Sequence, residues 1–120
     1  EMDMLLAWAI GSTSTSNTIT LVKDGKLISN GVGQQDRVGA CDLAVKRAKE
    51  AGHRTNGASA YSDSFFPFAD GPGVLGLAGI RSILSSSGSK NDHLTIEYCE
   101  DRKISLYLIP DSVGRGFYGN

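Results

Sequence analysis

The feature that most constrains this chain is a change of rhythm near residue 33. Thr18-Ile19-Thr20-Leu21-Val22 alternates and is β-branched, the pattern of a strand. Lys23-Asp24-Gly25-Lys26 follows, and Asp-Gly between two apolar runs predicts a tight hairpin turn. Leu27 to Val32 returns as the second strand. Beyond Gly33 the pattern becomes helical. Asp36 is placed to cap a helix start, and Val38, Cys41, Ala44, Val45, Ala48 and Ala51 recur at helical spacing. Lys46, Arg47 and Lys49 suit the negative end of that helix, and Gly52 suits the position just past it. Two more steps of the same kind follow. Ala58 to Tyr61 reads as a strand, Pro72 to Ala78 as a helix with proline in its first turn, and Ile80 to Leu84 as a strand. Asn91 or Asp92 caps a helix carrying Leu94, Ile96, Tyr98 and Cys99, and Ile104 to Ile109 is a final strand. Ahead of the hairpin, Met2 to Ile10 reads as a helix and Ser12 to Ser16 as a loop; Pro110 to Asn120 is a loop or tail. A hairpin followed by three helix–strand steps predicts a single α/β domain over residues 1–120. Its sheet is largely parallel and covered on both faces, with the hairpin as an antiparallel edge.

The bulk numbers exclude several classes of function. The 120 residues carry a net charge of −1, with 40% hydrophobic and 21% charged residues. That balance gives no electrostatic footprint for nucleic acid or an anionic membrane. No apolar run approaches the ~20 residues that span a bilayer. The apolar start has acidic flanks at Glu1 and Asp3, unlike a signal peptide, and the expected location is cytoplasmic. Cys41 and Cys99 form no CxxC and read as reduced, half-buried thiols. The first residue is Glu rather than Met, which reads as a piece of a longer chain or as processing.

Two loops following strands carry the chemistry. In Ser62-Asp63-Ser64-Phe65-Phe66-Pro67-Phe68-Ala69-Asp70-Gly71, three phenylalanines and a proline lie between two aspartates with no regular period. Three rings would not be left in water, and Pro67 interrupts any ladder or helix. The segment is either a hydrophobic plug for the core or a rigid pocket for a flat heterocycle. The second loop, Ser85-Ser86-Ser87-Gly88-Ser89, precedes a helix and is either an anion cradle at Ser87, Gly88 and Ser89 or a capped turn. On sheets of this kind ligands bind at the carboxyl ends of strands, so both loops are expected to open on one edge. Arg37, at a strand-to-helix corner, is either a solvated charge or a planar fork for a ligand oxygen. Gly31-x-Gly33 lacks the third glycine of a dinucleotide fingerprint. His53 and His93 have no partner at metal-ligand spacing, and neither His-x-Glu nor Pro-Cys-x-x-Cys occurs, so no zinc deaminase ligand set is present; no metal is expected. There is no Gly-x-Ser-x-Gly elbow for serine hydrolysis.

Ser16-Asn17, the Lys23-Asp24-Gly25 turn, Gly31-Val32-Gly33-Gln34-Gln35-Asp36-Arg37-Val38, the Ser62–Asp70 loop and Ser87-Gly88-Ser89 form an ordered set. Together they resemble the C-terminal part of the aminoimidazole carboxamide ribonucleotide (AICAR) transformylase of the bifunctional AICAR transformylase/IMP cyclohydrolase family. The resemblance runs from about Leu5 to near Phe117. It implies a cytidine-deaminase-like fold, a three-layer sandwich. It also implies formyl transfer from formyl-tetrahydrofolate, as co-substrate, to the amine of AICAR in purine biosynthesis. By that resemblance Asn17 faces the transferring formyl group, and Arg37, Phe65 and Arg115 contact the nucleotide. Phe66, Pro67 and Phe68 wall the folate ring, and Asp70 accepts from its N–H groups.

The chain also departs from the family. The resemblance places the family's catalytic Lys-His pair in an earlier domain that has no match here. The lysine before the Ser-Asn motif is replaced in the region of Thr13, Ser14 and Thr15, the family's terminal histidine is replaced by Tyr118-Gly119-Asn120, and no cyclohydrolase domain is present. Three readings follow: part of a transformylase that works with a missing domain or subunit in a homodimer, a non-catalytic module that binds a purine nucleotide or folate, or a dimerisation domain.

Overall fold

The computed structural model describes residues 2–14 and 16–110. Nine elements run in the order α1 (Met2–Gly11), β1 (Ile19–Lys23), β2 (Lys26–Gly31), α2 (Arg37–Glu50), β3 (Ser59–Ser62), α3 (Asp70–Leu77), β4 (Ser82–Ser86), α4 (Asp92–Arg102) and β5 (Ser105–Ile109). The strands form one sheet in the order β2-β1-β3-β4-β5. β3, β4 and β5 are parallel. The hairpin is antiparallel within itself, as expected, and β1 also runs antiparallel to β3.

Local chemistry explains most boundaries. The hairpin turn holds Asp24 at φ 52° and Gly25 at φ 73°, the pair of positive values that a type I′ turn needs. Asp36 accepts from the Gly39 N–H at 2.6 Å and so caps α2. At the other end of α2, Gly52 N–H donates to Lys49 and His53 N–H to Ala48, a Schellman closure. β4 begins and ends two residues later than the sequence predicts, taking in Ser85 and Ser86, which lie buried within the strand.

Successive residues of β3 and β4 point to opposite faces, which builds two cores. Ala60 and Ile83 meet α2, α3 and α4 through Cys41, Ala44, Leu75 and Cys99. Tyr61 and Leu84 meet α1 through Met4 and Ala7. The three layers of the expected sandwich are therefore α1, the sheet, and the other three helices. Gly11, at the end of α1, lies so close to the Tyr61 ring that a Cβ there would overlap it. The Asp3 carboxylate crosses from α1 to the hairpin, accepting from Asp24 N–H at 2.8 Å and Gly25 N–H at 2.7 Å. Both thiols are free and buried, more deeply than the half-burial expected. Among the described residues no helix is long and apolar enough to cross a membrane.

Candidate functional site

The carboxyl ends of β3 and β4 bring the two loops together, as the sheet topology predicts. Ser62 and Ser85, one on each strand, donate their hydroxyls to the Ser64 carbonyl at 2.6 and 3.0 Å. Further along, Asn91 Nδ2 and Ser89 Oγ donate to the Pro67 carbonyl at 2.9 and 3.5 Å. The serine loop thus holds the aromatic loop at its beginning and its middle.

The aromatic loop is plug and wall at once. Phe66 is 2% exposed and packs into the main core, beside Gly71 and near Cys41. The sequence places it on the folate wall; in the structure its ring lies buried beside Gly71 at the start of α3. Phe68 is 57% exposed, and Phe65 is half-buried beside Gly88. Asp70 is exposed at the first turn of α3, where its Oδ1 accepts from Gly71 N–H at 2.8 Å.

A cavity of about 270 Å³ lies between the start of α2 and the aromatic loop. It is lined by Asn17, Gln35, Asp36, Arg37, Ser64, Phe65 and Pro67. Three of the residues singled out in the sequence for substrate contact, Asn17, Arg37 and Phe65, therefore share one wall. Phe66, Phe68 and Asp70 are not among its lining, and Arg115 lies outside the described residues.

Beneath the cavity is an ion pair that the sequence did not reveal. Arg37 is 7% exposed and Asp63 0%, and the Arg37 Nη1 group pairs with Asp63 Oδ1. The solvated-charge reading of Arg37 does not hold, since the side chain is buried and paired. Its Nη2 donates to Asn17 Oδ1 at 2.7 Å, and Nη1 reaches the Thr18 carbonyl at 3.5 Å. Asp63 also accepts from Thr18 N–H at 3.0 Å and from Ser16 Oγ at 2.6 Å. A carboxylate taken out of water needs this many donors. Asn17 and Gln34 exchange backbone hydrogen bonds at 3.0 and 3.3 Å, tying the Ser-Asn segment to the approach to α2. Burial first, then the Asp63 charge, pushes the Tyr61 hydroxyl upward against the opposing pull of Arg37. Burial likewise pushes the Cys41 thiol upward, with Arg37 opposing.

In the serine loop the backbone donors have partners within the protein. Gly88 and Ser89 N–H donate to the Asp92 carboxylate at 2.9 and 3.2 Å, and Ser87 N–H donates to Ile109. The donors expected to hold an anion are met by the Asp92 carboxylate and the Ile109 carbonyl. His53 and His93 are exposed, and among the described residues no three His, Cys, Asp or Glu side chains come together as a metal site would require.

Comparison with known proteins places this geometry. The family model described as "AICARFT/IMPCHase bienzyme" matches residues 1–47. The bifunctional purine biosynthesis protein PurH of Cutibacterium acnes is 46% identical over 106 residues, 88% of this chain and 20% of that protein. The chain is a relative of the AICARFT/IMPCHase bienzymes. PurH of Bacteroides thetaiotaomicron is 39% identical over 87% of the chain. The chain spans 20% of the length of these relatives. Among solved structures, Acinetobacter baumannii RibD shares the fold with a TM-score of 0.62 at 20% identity, covering 89% of this chain and 34% of that one. The dCMP deaminase of cyanophage S-TIM5 does so at 0.59 and 13% identity, covering 88% and 90%. The fold is that of the cytidine and dCMP deaminases, as the resemblance implied.

Proposed function

We propose that this chain is part of a folate-dependent formyltransferase acting on AICAR in purine biosynthesis, and that it supplies one wall of the substrate site. The observation that carries the reading is the convergence of Asn17, Arg37 and Phe65 on one cavity, in a chain 46% identical to a PurH protein. Formyl transfer joins a weakly nucleophilic amine to a formyl carbon. It needs two aligned substrates, removal of a proton from the amine, and a donor for the oxyanion that develops.

The cavity suits the aromatic end of such a nucleotide. Arg37 is neutralised by Asp63, and Asp36 adds a negative charge to the rim, so the wall favours a neutral carboxamide over a phosphate. Phe65 offers a ring face for stacking, and Asn17 a carboxamide for the reacting group. The folate co-substrate, which brings the formyl group, would lie over Pro67 and Phe68 with Asp70 accepting from its N–H groups. The exposure of all three residues fits that task; Phe66 does not. Among the described residues no lysine or histidine lines the cavity, so the proton step falls to a partner domain or subunit, in a homodimer in the cytoplasm.

A second reading, a binding module without catalysis, is favoured by Thr13 and Ser14 in the region where the family carries a lysine. Titration calorimetry with AICAR and with a folate analogue tests both. We expect weak binding of each, with AICAR weakened by Phe65→Ala and folate by Asp70→Asn, and no formyl transfer by the chain alone. Absence of heat with either ligand would leave only a structural role. Turnover by the purified chain would refute the assignment of proton transfer to a partner.

A further inference from the structure

We propose that Asp63 is a positioning residue that orients the Asn17 carboxamide so that its N–H2 group, and not its oxygen, is offered to the cavity. The bonding pattern carries this. Asp63 receives the Ser16 hydroxyl at 2.6 Å and the Thr18 N–H at 3.0 Å, so one buried carboxylate holds the residues on both sides of Asn17. Through its pairing with Arg37 it also reaches Asn17 itself, because Nη2 of the same guanidinium donates to Asn17 Oδ1 at 2.7 Å.

A guanidinium has only donors to give. The atom of Asn17 facing Nη2 is therefore the amide oxygen, and Nδ2 is the end left for the cavity that Asn17 lines. The site then presents a donor where an oxyanion would form, and a bound group at Asn17 must bring an acceptor. Arg37 does not hold this geometry unaided. It is the first residue of α2, where the helix dipole disfavours a cation, and it is buried. Without the Asp63 carboxylate the guanidinium gains by turning toward water, and Asn17 is released to rotate.

The orientation is a property of the free chain; its use for a formyl oxygen rests on the function proposed above. The test separates the two. In nitrogen-edited NMR of the full 120-residue chain, the wild-type Asn17 side-chain protons are expected to be widely split and slow to exchange compared with those of exposed Asn56. Asp63→Asn removes the charge while keeping the shape, and should return the Asn17 signals to the Asn56 pattern while β4 and β5 resonances stay in place. Arg37→Lys keeps a cation against Asp63 but removes the fork, and should do the same, which covers the case in which Asp63→Asn fails to fold. AICAR affinity should fall at least tenfold in either variant, and Asp63→Asn should cost nothing further in an Asn17→Ala background. Unchanged Asn17 signals in the folded variants overturn the proposal. A wild-type chain that shows the ordered Asn17 signals yet binds no AICAR supports the positioning role and overturns the function.

Discussion

The two loops at the carboxyl edge of the sheet look alike in sequence terms, yet one lines a cavity and the other meets its own donors. Both follow parallel strands, both are rich in small polar residues, and they touch through Pro67 and Phe65. In the serine loop every N–H expected to attract a ligand is met from within, by Asp92 or by Ile109. In the aromatic loop the buried Asp63 has the opposite effect. It gathers donors from residues 16, 18 and 37 and leaves the carboxamide of Asn17 turned outward. A carboxylate that satisfies its own loop closes a site, and one that reaches across the fold builds a wall for one.

The comparison is broken most severely at the ion pair. Arg37→Ala leaves Asp63 charged and buried, and should cost about 3–5 kcal/mol, read as a lower urea midpoint. Asp63→Asn should cost less, since the long Arg37 side chain it leaves unpaired can turn its guanidinium toward water. Within the aromatic loop, Phe66→Ala should cost about 3–5 kcal/mol as a core truncation, whereas Phe68→Ala, on the exposed ring, should stay within about 0.5 kcal/mol. Equal losses would mean that plug and wall are not divided as described. In the serine loop, Asp92→Ala should cost about 1 kcal/mol, as the loss of hydrogen bonds to a charged group at the surface does. A gain of phosphate binding in that variant would show that the freed amides can hold an anion once their internal partner is gone.

The weakest perturbation is alkali. Burial pushes the Cys99 thiol from 9.0 up to about 11, and burial also pushes Cys41 and Tyr61 upward. These groups are acids whose protonated, neutral form is favoured in the folded state. The unfolded chain therefore loses protons first as pH rises, so the stability Cys99 contributes is complete below about 9 and is lost on the way through about 11, while the decline from Cys41 and Tyr61 extends to higher pH. Urea midpoints should hold from pH 7 to 8.5 and decline above. A thiol reagent should label both cysteines slowly until the chain unfolds.

What could be read in the sequence was local. The Asp24-Gly25 turn, the Asp36 cap and the Gly52 closure each depend on residues within a few positions, and each is where the pattern put it. The order of elements followed from those marks. β4 was misplaced because serine counts as a loop former by composition, while here Ser82 shares a hydrogen bond of 2.7 Å with Ser59 and Ser85 is held by Ser64. Buried hydroxyls with partners are compatible with a strand, but the partners lie 21 to 23 residues away. Asp63 was missed for the same reason: it stood in the quoted motif, but its donors lie 26 to 47 residues away. Gln35 and Ser64 line the cavity; both lie within the motifs that carry the resemblance, but neither had a role assigned.

The reach of Asp3 to the hairpin turn sets how far this polypeptide can be trimmed. A product of recombinant expression that starts at Met4 would lack the carboxylate that both turn amides use, and its hairpin should fray first under protease. One that starts beyond Gly11 would uncover Val22, Tyr61 and Leu84 and should be recovered from the pellet rather than the supernatant. Residues 3 to 11 are part of the folding unit.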